Sequence, residues 1–423
     1  MSKLAEKLKL IFGDESLRKR IIFILAILAL SRLFAIIPIP GIDAARLQSL
    51  LSSSEFLSLL NLFSGGGLTN LSVVMLGVGP YITASIIMQL LTVMVPKLKA
   101  LYQEEGDAGR RRFTQYSRLL TVPLAAIQGY AFIKLLQSQS ILPPLPLETL
   151  LIDLVIIVAG SMLLMWLGEL ITEFGIGNGV SLIIFAGIVA QLPAILGQLT
   201  FTFNPADLPL YLLGLVIALI VIFGVVFITE AERPIPITYA KQVRGGRTYG
   251  GLSTYLPLRL NQAGVIPIIF ALSILIFPQM IFQFLGGSSI SVVASISDFF
   301  LSLLANTWFY AAAYFVLVFF FTYFYTAVTF DPDSVATNLQ KSGAFVAGVR
   351  PGTATADYIG KILTRLTLVG ALFLSFIAVL PLIMRSLTGI QALAIGGTAL
   401  LIVVSVVLDL IKKINAQASV REY

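Results

Sequence analysis

The sequence predicts an all-α polytopic membrane protein with ten transmembrane helices in two pseudo-symmetric halves of five. Three observations support this fold class. Hydrophobic residues make up 57% of the chain and charged residues only 12%, about half the ~25% of a typical soluble protein. The mean hydropathy is +0.95. Apolar runs of about 20 residues, the length that a helix needs to cross a bilayer, recur along the whole chain.

Ten apolar runs define the predicted spans. Clusters of Pro, Gly and Ser separate several of them, at 38–41 after the first run, at 143–146 before the fourth and at 286–289 after the seventh. The predicted spans lie near 21–39, 72–95, 116–136, 148–168, 179–198, 210–229, 262–284, 308–328, 364–384 and 393–411.

Lysine and arginine indicate the orientation of these spans. Segments on one side of the predicted membrane carry 24 of the 28 basic residues, at 1–20, 96–118, 230–260, 331–365 and 412–423. Cytoplasmic loops hold the excess of Lys and Arg in polytopic proteins. We therefore expect both termini in the cytoplasm, which agrees with an even number of spans. The two expected halves are 1–205 and 206–423, and a pseudo-twofold axis between them is a hypothesis.

An unusual break precedes the second span. A short apolar segment, 56–63, runs into the sequence SGGG, and the next apolar run begins near Leu71 with Gly77, Gly79 and Pro80 inside it. Eight helical residues at ~1.5 Å each cannot cross a hydrocarbon core of ~30 Å. Because lipid cannot satisfy the backbone at such a break, we expect it to be buried in protein or to line an aqueous cavity. An external loop with one amphipathic turn is the alternative.

The composition disfavours several functional classes. The chain contains no Cys and no His, so the thiolate nucleophile and the commonest acid–base and metal-binding group are missing. An intramembrane enzyme therefore lacks a visible catalytic constellation, no Walker-type phosphate loop occurs, and we expect no cofactor. Coupled transporters usually keep ionisable residues inside the bilayer, whereas five acidic residues lie near span ends and are expected to be hydrated caps: Asp153, Glu169, Glu173, Asp298 and Asp409. A secondary transporter of a small solute remains the alternative, and it predicts a polar pocket at the 65–80 break.

Neutral polar side chains inside the spans form a second candidate feature. Thr83 and Gln89 lie on the second span, Gln128 on the third, and Asn261 at the start of the seventh. Such groups can bond across helices at ~0.6–2 kcal/mol per bond, which is enough to latch a seam that must still open. Ordinary structural packing is the alternative interpretation.

Two long loops, 230–260 and 331–365, lie on the predicted cytoplasmic side. The first is basic, glycine-rich and aromatic, and its alternation predicts a hairpin around 244–247. In the second, Arg350 is followed by Pro and Gly, which is typical of a rigid exposed turn. Loops of this length are more than connectors. They could bind anionic lipid headgroups or a cytosolic partner.

Eight motifs occur in order along the chain: IPIPGID at 37–43, LNLFSGGGLTNLS at 60–72, GPYITASIIMQLL at 79–91, EGDAGRRRFTQYSR at 105–118, GIGNGVSLIIFAGI at 175–188, NQAGVIPIIFA at 261–271, NLQKSGAFVAGVRPG at 338–352 and GGTALLIVVSVVLD at 396–409. Together they resemble the SecY family, the pore-forming subunits of the bacterial Sec protein translocon. Several long motifs in register make a chance match very improbable.

The resemblance implies a protein-conducting channel, not an enzyme. Such a channel moves unfolded polypeptides across the bacterial cytoplasmic membrane and releases hydrophobic segments laterally into it. Segment 56–69 would be the plug, a short helix that closes the external funnel, with a flexible glycine tether. The residues assigned to plug and tether are Leu60, Phe63, Gly65, Gly66 and Gly67. The waist would be a pore ring of branched apolar side chains, which resist wetting: Val78, Ile82, Val180, Ile184, Ile269 and Ile402.

The resemblance also implies a lateral gate and a docking surface. The gate would lie between spans two and three on one side and spans seven and eight on the other, with a polar cluster of Thr83, Gln128 and Asn261. The two loops correspond to the docking surface for the SecA motor or the ribosome, through Lys241, Arg244, Arg247 and Arg350. Departures from the family pattern in the first loop bear on docking, not on the channel: Pro234, Gln242, Gly246 and Tyr255. SecE-type and SecG-type subunits and polypeptides with signal sequences are further expected partners.

Overall fold

The computed structural model describes residues 14–39, 61, 64, 66–68, 71–103, 105–138, 142–143, 145–201, 208–239, 242–244, 247–249, 253–286, 291–388 and 391–419. The helices are α1 Glu15–Phe34, α2 Gly79–Met94, α3 Pro96–Gln103, α4 Gly106–Ser138, α5 Leu147–Phe174, α6 Gly179–Phe201, α7 Leu208–Glu230, α8 Ile266–Gly286, α9 Ser291–Ala305, α10 Thr307–Thr329, α11 Pro332–Lys341, α12 Thr353–Thr388 and α13 Gln391–Ser419. The strands are β1 Glu232–Tyr239, β2 Gln242–Arg244, β3 Arg247–Tyr249, β4 Ser253–Arg259 and β5 Ala344–Val346.

A helix lies at each of the ten predicted spans. Five of the described helices, α4, α5, α7, α10 and α12, are long and apolar enough to cross a membrane by themselves. A sixth candidate is a broken span, in which α3 bends away from α2 by 116°. The prediction of an all-α polytopic membrane fold is confirmed in this respect.

The second span differs from its predicted range of 72–95, because α2 begins only at Gly79. Residues 71–78 form successive turns instead, and all of them are buried except the half-buried Val73. Their backbone groups find partners in the chain that follows α1: the N–H of Ile39 donates to the carbonyl of Leu71 at 2.9 Å, and the N–H of Val73 donates to the carbonyl of Ile37 at 3.0 Å. The expectation of a break buried in protein is therefore confirmed, since this irregular backbone is satisfied without lipid.

Helix α5 closes over this irregular segment. A Cβ atom at Gly160 would collide with the carbonyl oxygen of Val73, so only glycine allows α5 to approach the turns so closely. Around the contact, Leu68, Leu71, Met75 and other residues form an apolar cluster with side chains of α4 and α5. The break is consequently held between two membrane helices.

The two predicted halves meet along two seams. On one side α2 and α4 of the first half contact α8 of the second, and on the other side α6 contacts α13. One core cluster extends across both seams, because it contains Ile86 and Ile184 together with Ile268 and Ile402. The halves thus share a core, while their pseudo-twofold relation stays a prediction.

A small sheet adds β structure to the mainly helical fold. Strand β1 pairs antiparallel with β4 along its length and with β5 from Ile237 to Tyr239, so the order is β4-β1-β5. Apolar side chains below the sheet, including Ile235 and Leu258, pack against Ile359 of α12. The predicted hairpin is confirmed, because β2 pairs antiparallel with β3.

Candidate functional site

A cavity of about 1000 Å³ opens between the two halves. The elements that line it are α2, the beginning of α4, the end of α5, the beginnings of α6 and α8, and the end of α10. These helix ends lead toward the loops that the charge pattern predicts to be cytoplasmic. Because α2 starts in the interior and ends near that face, Ile82 lies at the deep end of the cavity and Gln89 lies about two turns closer to its mouth.

Four of the six predicted ring residues line this cavity: Ile82, Val180, Ile184 and Ile269. The other two, Val78 and Ile402, are each 1% exposed. Five of the six belong to one buried apolar cluster, and Val180 packs against it. The structure therefore brings residues from four separate segments of the chain to one place.

Local geometry explains how the ring side chains come together. Residues four apart share one face of a helix, which places Val180 and Ile184 side by side on α6. Val78 is the residue before α2, and its carbonyl accepts the N–H of Ile82 at 3.0 Å. The first turn of α2 thus carries Val78 and Ile82 to the same apolar cluster, although Val78 itself lies in the irregular segment.

The wall nearer the mouth is polar and balanced in charge. Its charged residues among the described lining are three acids and three bases: Asp107, Glu169, Glu173, Arg110, Arg111 and Arg118. The guanidinium Nε of Arg118 donates to Glu169 Oε1 at 2.8 Å, which joins α4 to α5. A wall of this kind is wettable and lacks the concentrated charge that would hold an ionic solute strongly.

The acidic residues near span ends have different environments. Glu169 is paired with Arg118, Asp409 pairs with Lys413 at 2.7 Å, and Glu173 is exposed. Asp153 is only 6% exposed, so the expectation of a hydrated cap is wrong for this residue. It lies on the face of α5 that also buries Leu150 and Ile157, because positions three and four apart share one side of a helix.

Part of the predicted tether is a hydrogen-bonded turn. The carbonyl oxygen of Asn61 accepts the N–H of Gly66 at 2.8 Å and the hydroxyl of Ser64 at 3.0 Å. The side-chain Nε2 of Gln191 on α6 donates to the same oxygen at 3.4 Å. Gly66 has a φ of +85°, a conformation that favours glycine. Leu60, Phe63 and Gly65 lie outside the described residues.

The three predicted gate residues belong to the segments that form the seam between α2, α4 and α8: Thr83 lies on α2, Gln128 on α4 and Asn261 just before α8. Gln128 is buried on α4. The hydroxyl of Thr83 donates to the carbonyl of Gly79 at 3.0 Å, and Asn261 Nδ2 donates to the carbonyl of Gly264 at 3.2 Å. Both groups thus donate within their own segment and not across the seam, and the gate role of Thr83, Gln128 and Asn261 stays a prediction.

Comparison with known proteins decides the family. The family model described as SecY matches residues 72–411. Protein translocase subunit SecY of Corynebacterium glutamicum is 43% identical over 433 residues, covering 96% of this chain and 96% of that protein. The protein of the same description from Vibrio cholerae is 43% identical over 419 residues, covering 97% and 94%. The chain belongs to the SecY family.

Solved structures with the same fold support this membership. A structure described as a protein conducting channel is similar with a TM-score of 0.65 at 20% identity, covering 95% of this chain and 92% of that one. Sec61 in a canine ribosome-channel complex is similar with a TM-score of 0.61 at 20% identity, with the same coverage. At this identity the likeness establishes the fold, and the all-α membrane architecture of the SecY family is confirmed for this chain.

The docking residues expected from the SecY resemblance belong to the two loops that contribute strands to the small sheet. Arg350 is exposed just beyond β5, and its carbonyl accepts the hydroxyl of Thr355 at 2.8 Å. Lys241 lies outside the described residues, while Arg244 and Arg247 are described by their backbone in the β2–β3 hairpin. Since β1 pairs with β5, the two loops form one unit.

Sequence reasoning missed the contacts of three residues around this SecY-family site: Arg118, Glu169 and Gln191. Arg118 and Glu169 form their ion pair across 51 positions, and no local pattern connects them. Gln191 carried a usable signal, because it is an amide inside an apolar run, as are Gln89 and Gln128. Such amides mark positions where a membrane helix meets another polar group.

Proposed function

We propose that this SecY-family chain is a protein-conducting channel that moves unfolded polypeptides across the bacterial cytoplasmic membrane and releases hydrophobic segments into it. One observation carries the proposal: branched apolar side chains of both halves, including Ile82, Ile184 and Ile269, line the cavity and belong to one buried apolar cluster. A waist of this type resists wetting and ion leakage when no chain occupies it. A passing polypeptide of any sequence can separate these side chains, because they offer no specific polar contact.

A secondary transporter of a small solute fits these observations less well. It would need a polar pocket where the helix is broken. The described residues of the break are instead mostly buried and apolar, as Leu68, Leu71, Val74 and Met75 illustrate. Polar residues line the wide outer part of the cavity, and their charges cancel. The channel is therefore the better proposal for this geometry.

The proposed lateral gate is the seam at which α2 and α4 meet α8. Opening this seam would expose a segment in the channel to lipid. The segment's own hydrophobicity would then decide whether it enters the bilayer, at about 0.8 kcal/mol per CH₂ group transferred. In this proposal the halves 1–205 and 206–423 are the bodies that separate, and the 56–69 segment is the plug.

The proposed partners follow from the charge distribution and the family. We propose that the basic loops and both termini face the cytoplasm. The basic loops would dock the SecA motor or the ribosome, and they would bind anionic lipid headgroups when neither partner is bound. The exposed Arg350 lies beside a sheet that joins both loops, so a partner could engage them together. SecE-type and SecG-type subunits would complete the complex. The chain acts as a conduit and not as an enzyme, and the energy for transport comes from its partners and the membrane potential.

Site-specific crosslinking in reconstituted membranes tests the proposal. Single cysteines replace Ile82 and Ile269, and a stalled secretory passenger carries one cysteine; the absence of native Cys keeps the background low. A cysteine at Phe223, which is 72% exposed on α7, is the lipid-facing control. Passenger-dependent crosslinks at both waist positions but not at Phe223 are expected. No crosslink at either waist position, with the passenger engaged, would favour the solute transporter.

A further inference from the structure

Helix α9, Ser291–Ala305, lies between two membrane spans but is too short to be one. Its 15 residues extend over about 22 Å, less than the ~30 Å of a hydrocarbon core. It connects the outer ends of α8 and α10, on the side opposite the basic loops. An apolar helix in this place can either lie on the protein in water or lie in the membrane interface.

Three arcs around α9 differ in environment. The first arc faces the protein, where Ser297 is 1% exposed and its hydroxyl donates to the carbonyl of Val293 at 2.8 Å. The second arc is apolar and exposed: Val292 at 66%, Ile296 at 49% and Phe299 at 62%. The third arc is polar and exposed, with Ser295, Asp298 and Ser302. Positions 292, 296 and 299 share one side of the helix and 295, 298 and 302 share another, as the spacing of three and four residues requires.

Contacts with α8 and α10 hold α9 in place and leave its apolar arc exposed. The ring of Phe300 stacks on Phe282 of α8, with centroids 4.5 Å apart and planes 4° from parallel. Helix α9 also contacts α10. After Ala305 the chain turns at Asn306, whose side chain accepts the N–H groups of Trp308 and Phe309 and starts α10.

The exposed apolar arc is continuous along the chain with a lipid-facing surface. Trp308 is 65% exposed and Phe309 is 41% exposed in the first turn of α10, and α10 is a membrane span. Tryptophan is enriched where spans leave the hydrocarbon for the headgroups. The level of the bilayer surface is therefore marked within one turn of the end of α9.

We propose that α9 is an interfacial helix seated in the outer leaflet. Val292, Ile296 and Phe299 enter the boundary of the acyl chains, while Asp298 and Ser302 face water. Burial of this depth, about 5–10 Å, is typical of amphipathic helices that lie in the membrane plane. Residues 291–305 contain no Lys or Arg and one Asp. The binding of α9 to the membrane therefore depends on burial of its apolar side chains and not on attraction to anionic lipid.

This seat would fix the outer end of α8 relative to the bilayer, through the stacking of Phe282 on Phe300. The consequence for gating rests on the proposed function, because α8 forms one side of the proposed gate. In that case the outer end of α8 would stay fixed at the membrane surface while the rest of α8 moves as the gate opens. The lipid seat itself is independent of what the channel conducts and can be tested alone.

Spin labels on single cysteines test the seat in the full chain. The variants are Ile296→Cys, Phe299→Cys and the matched control Ser302→Cys, reconstituted into vesicles of phosphatidylcholine. Collisions with oxygen, which enters lipid, are compared with collisions with a water-soluble nickel chelate. The ratio of oxygen to nickel collisions is expected to be several-fold higher at 296 and 299 than at 302. Adding anionic phosphatidylglycerol is expected to leave all three ratios unchanged.

Two outcomes would overturn the proposal. High nickel accessibility at all three positions would place α9 in water, clear of the bilayer. Low accessibility to both reagents at 296 and 299 would mean that protein covers the apolar arc, either a second copy of the chain or another subunit. Near-native circular dichroism and passenger translocation by each variant establish that the labelled proteins are folded.

Discussion

The contact between Gln191 and Asn61 allows a quantitative test of how the proposed plug is held. We expect Gln191→Leu, which keeps a side chain of similar size but removes the amide donor, to weaken this hold. The Asn61 carbonyl keeps its bonds from Gly66 and Ser64, so no buried acceptor is orphaned. The loss is that of one long bond of 3.4 Å, at the low end of the ~0.5–1.5 kcal/mol of a typical hydrogen bond. A loss of about 0.5 kcal/mol raises the population of the displaced plug roughly twofold.

Ion leakage through sealed proteoliposomes measures that population in the absence of a passenger. The leak rate of Gln191→Leu is expected to rise roughly twofold, in proportion to the open fraction. Gln137→Leu is the matched control, because Gln137 Nε2 also donates to a carbonyl oxygen at 3.4 Å, that of Pro143, and makes no bond to the Asn61 carbonyl. Equal leak rates in Gln191→Leu and the unchanged protein, or an equal rise in both variants, would refute the reasoning.

Three further predictions concern packing, the waist and docking. Gly160→Ala is expected to lower the free energy of unfolding by about 1–3 kcal/mol through overpacking, because its Cβ would meet the Val73 carbonyl. Gly197→Ala is the control, since a Cβ there meets open space. Thermal unfolding in detergent compares the stability of the two variants. Ile269→Asn is expected to wet the waist and relax signal-sequence stringency, while Ile269→Leu keeps it; equal stringency in both would remove Ile269 from the ring. Arg350→Glu is expected to slow motor-driven translocation at normal expression, with Arg350→Lys closer to the unchanged protein, and an unchanged rate would take Arg350 off the docking surface.

The helices could be predicted because they depend on local chemistry, whereas the waist residues are predicted only from the resemblance to the SecY family. Long apolar runs give helices at all ten positions, and four-residue steps such as Val180 to Ile184 place side chains on one face. The start of α2 could not be located from hydropathy, because residues 71–78 are as apolar as a span. Their turns are stabilised by partners near Ile37 and Ile39, which lie more than thirty positions earlier in the chain.

Electrostatic details depend on contacts that the sequence does not display. Glu169 lies near a span end, as does Asp153, and the sequence gives both the same interpretation. In the structure Glu169 finds Arg118 across the cavity wall, whereas Asp153 is buried on the packed face of α5. The difference arises from which helix face meets a neighbour, and this is set by tertiary packing.

The bonding of the gate residues bears on how easily the proposed gate could open. A hydrogen bond across the seam would be broken on opening, and a polar group left unpaired in lipid costs several kcal/mol. Thr83 and Asn261 instead donate to carbonyls of Gly79 and Gly264 in their own segments, so these bonds can persist in either state. The Oδ1 atom of Asn261 is buried without a hydrogen-bond partner among the described residues. We infer that closure rests mainly on apolar contacts, which a hydrophobic segment of a passenger can replace one for one as it enters the seam.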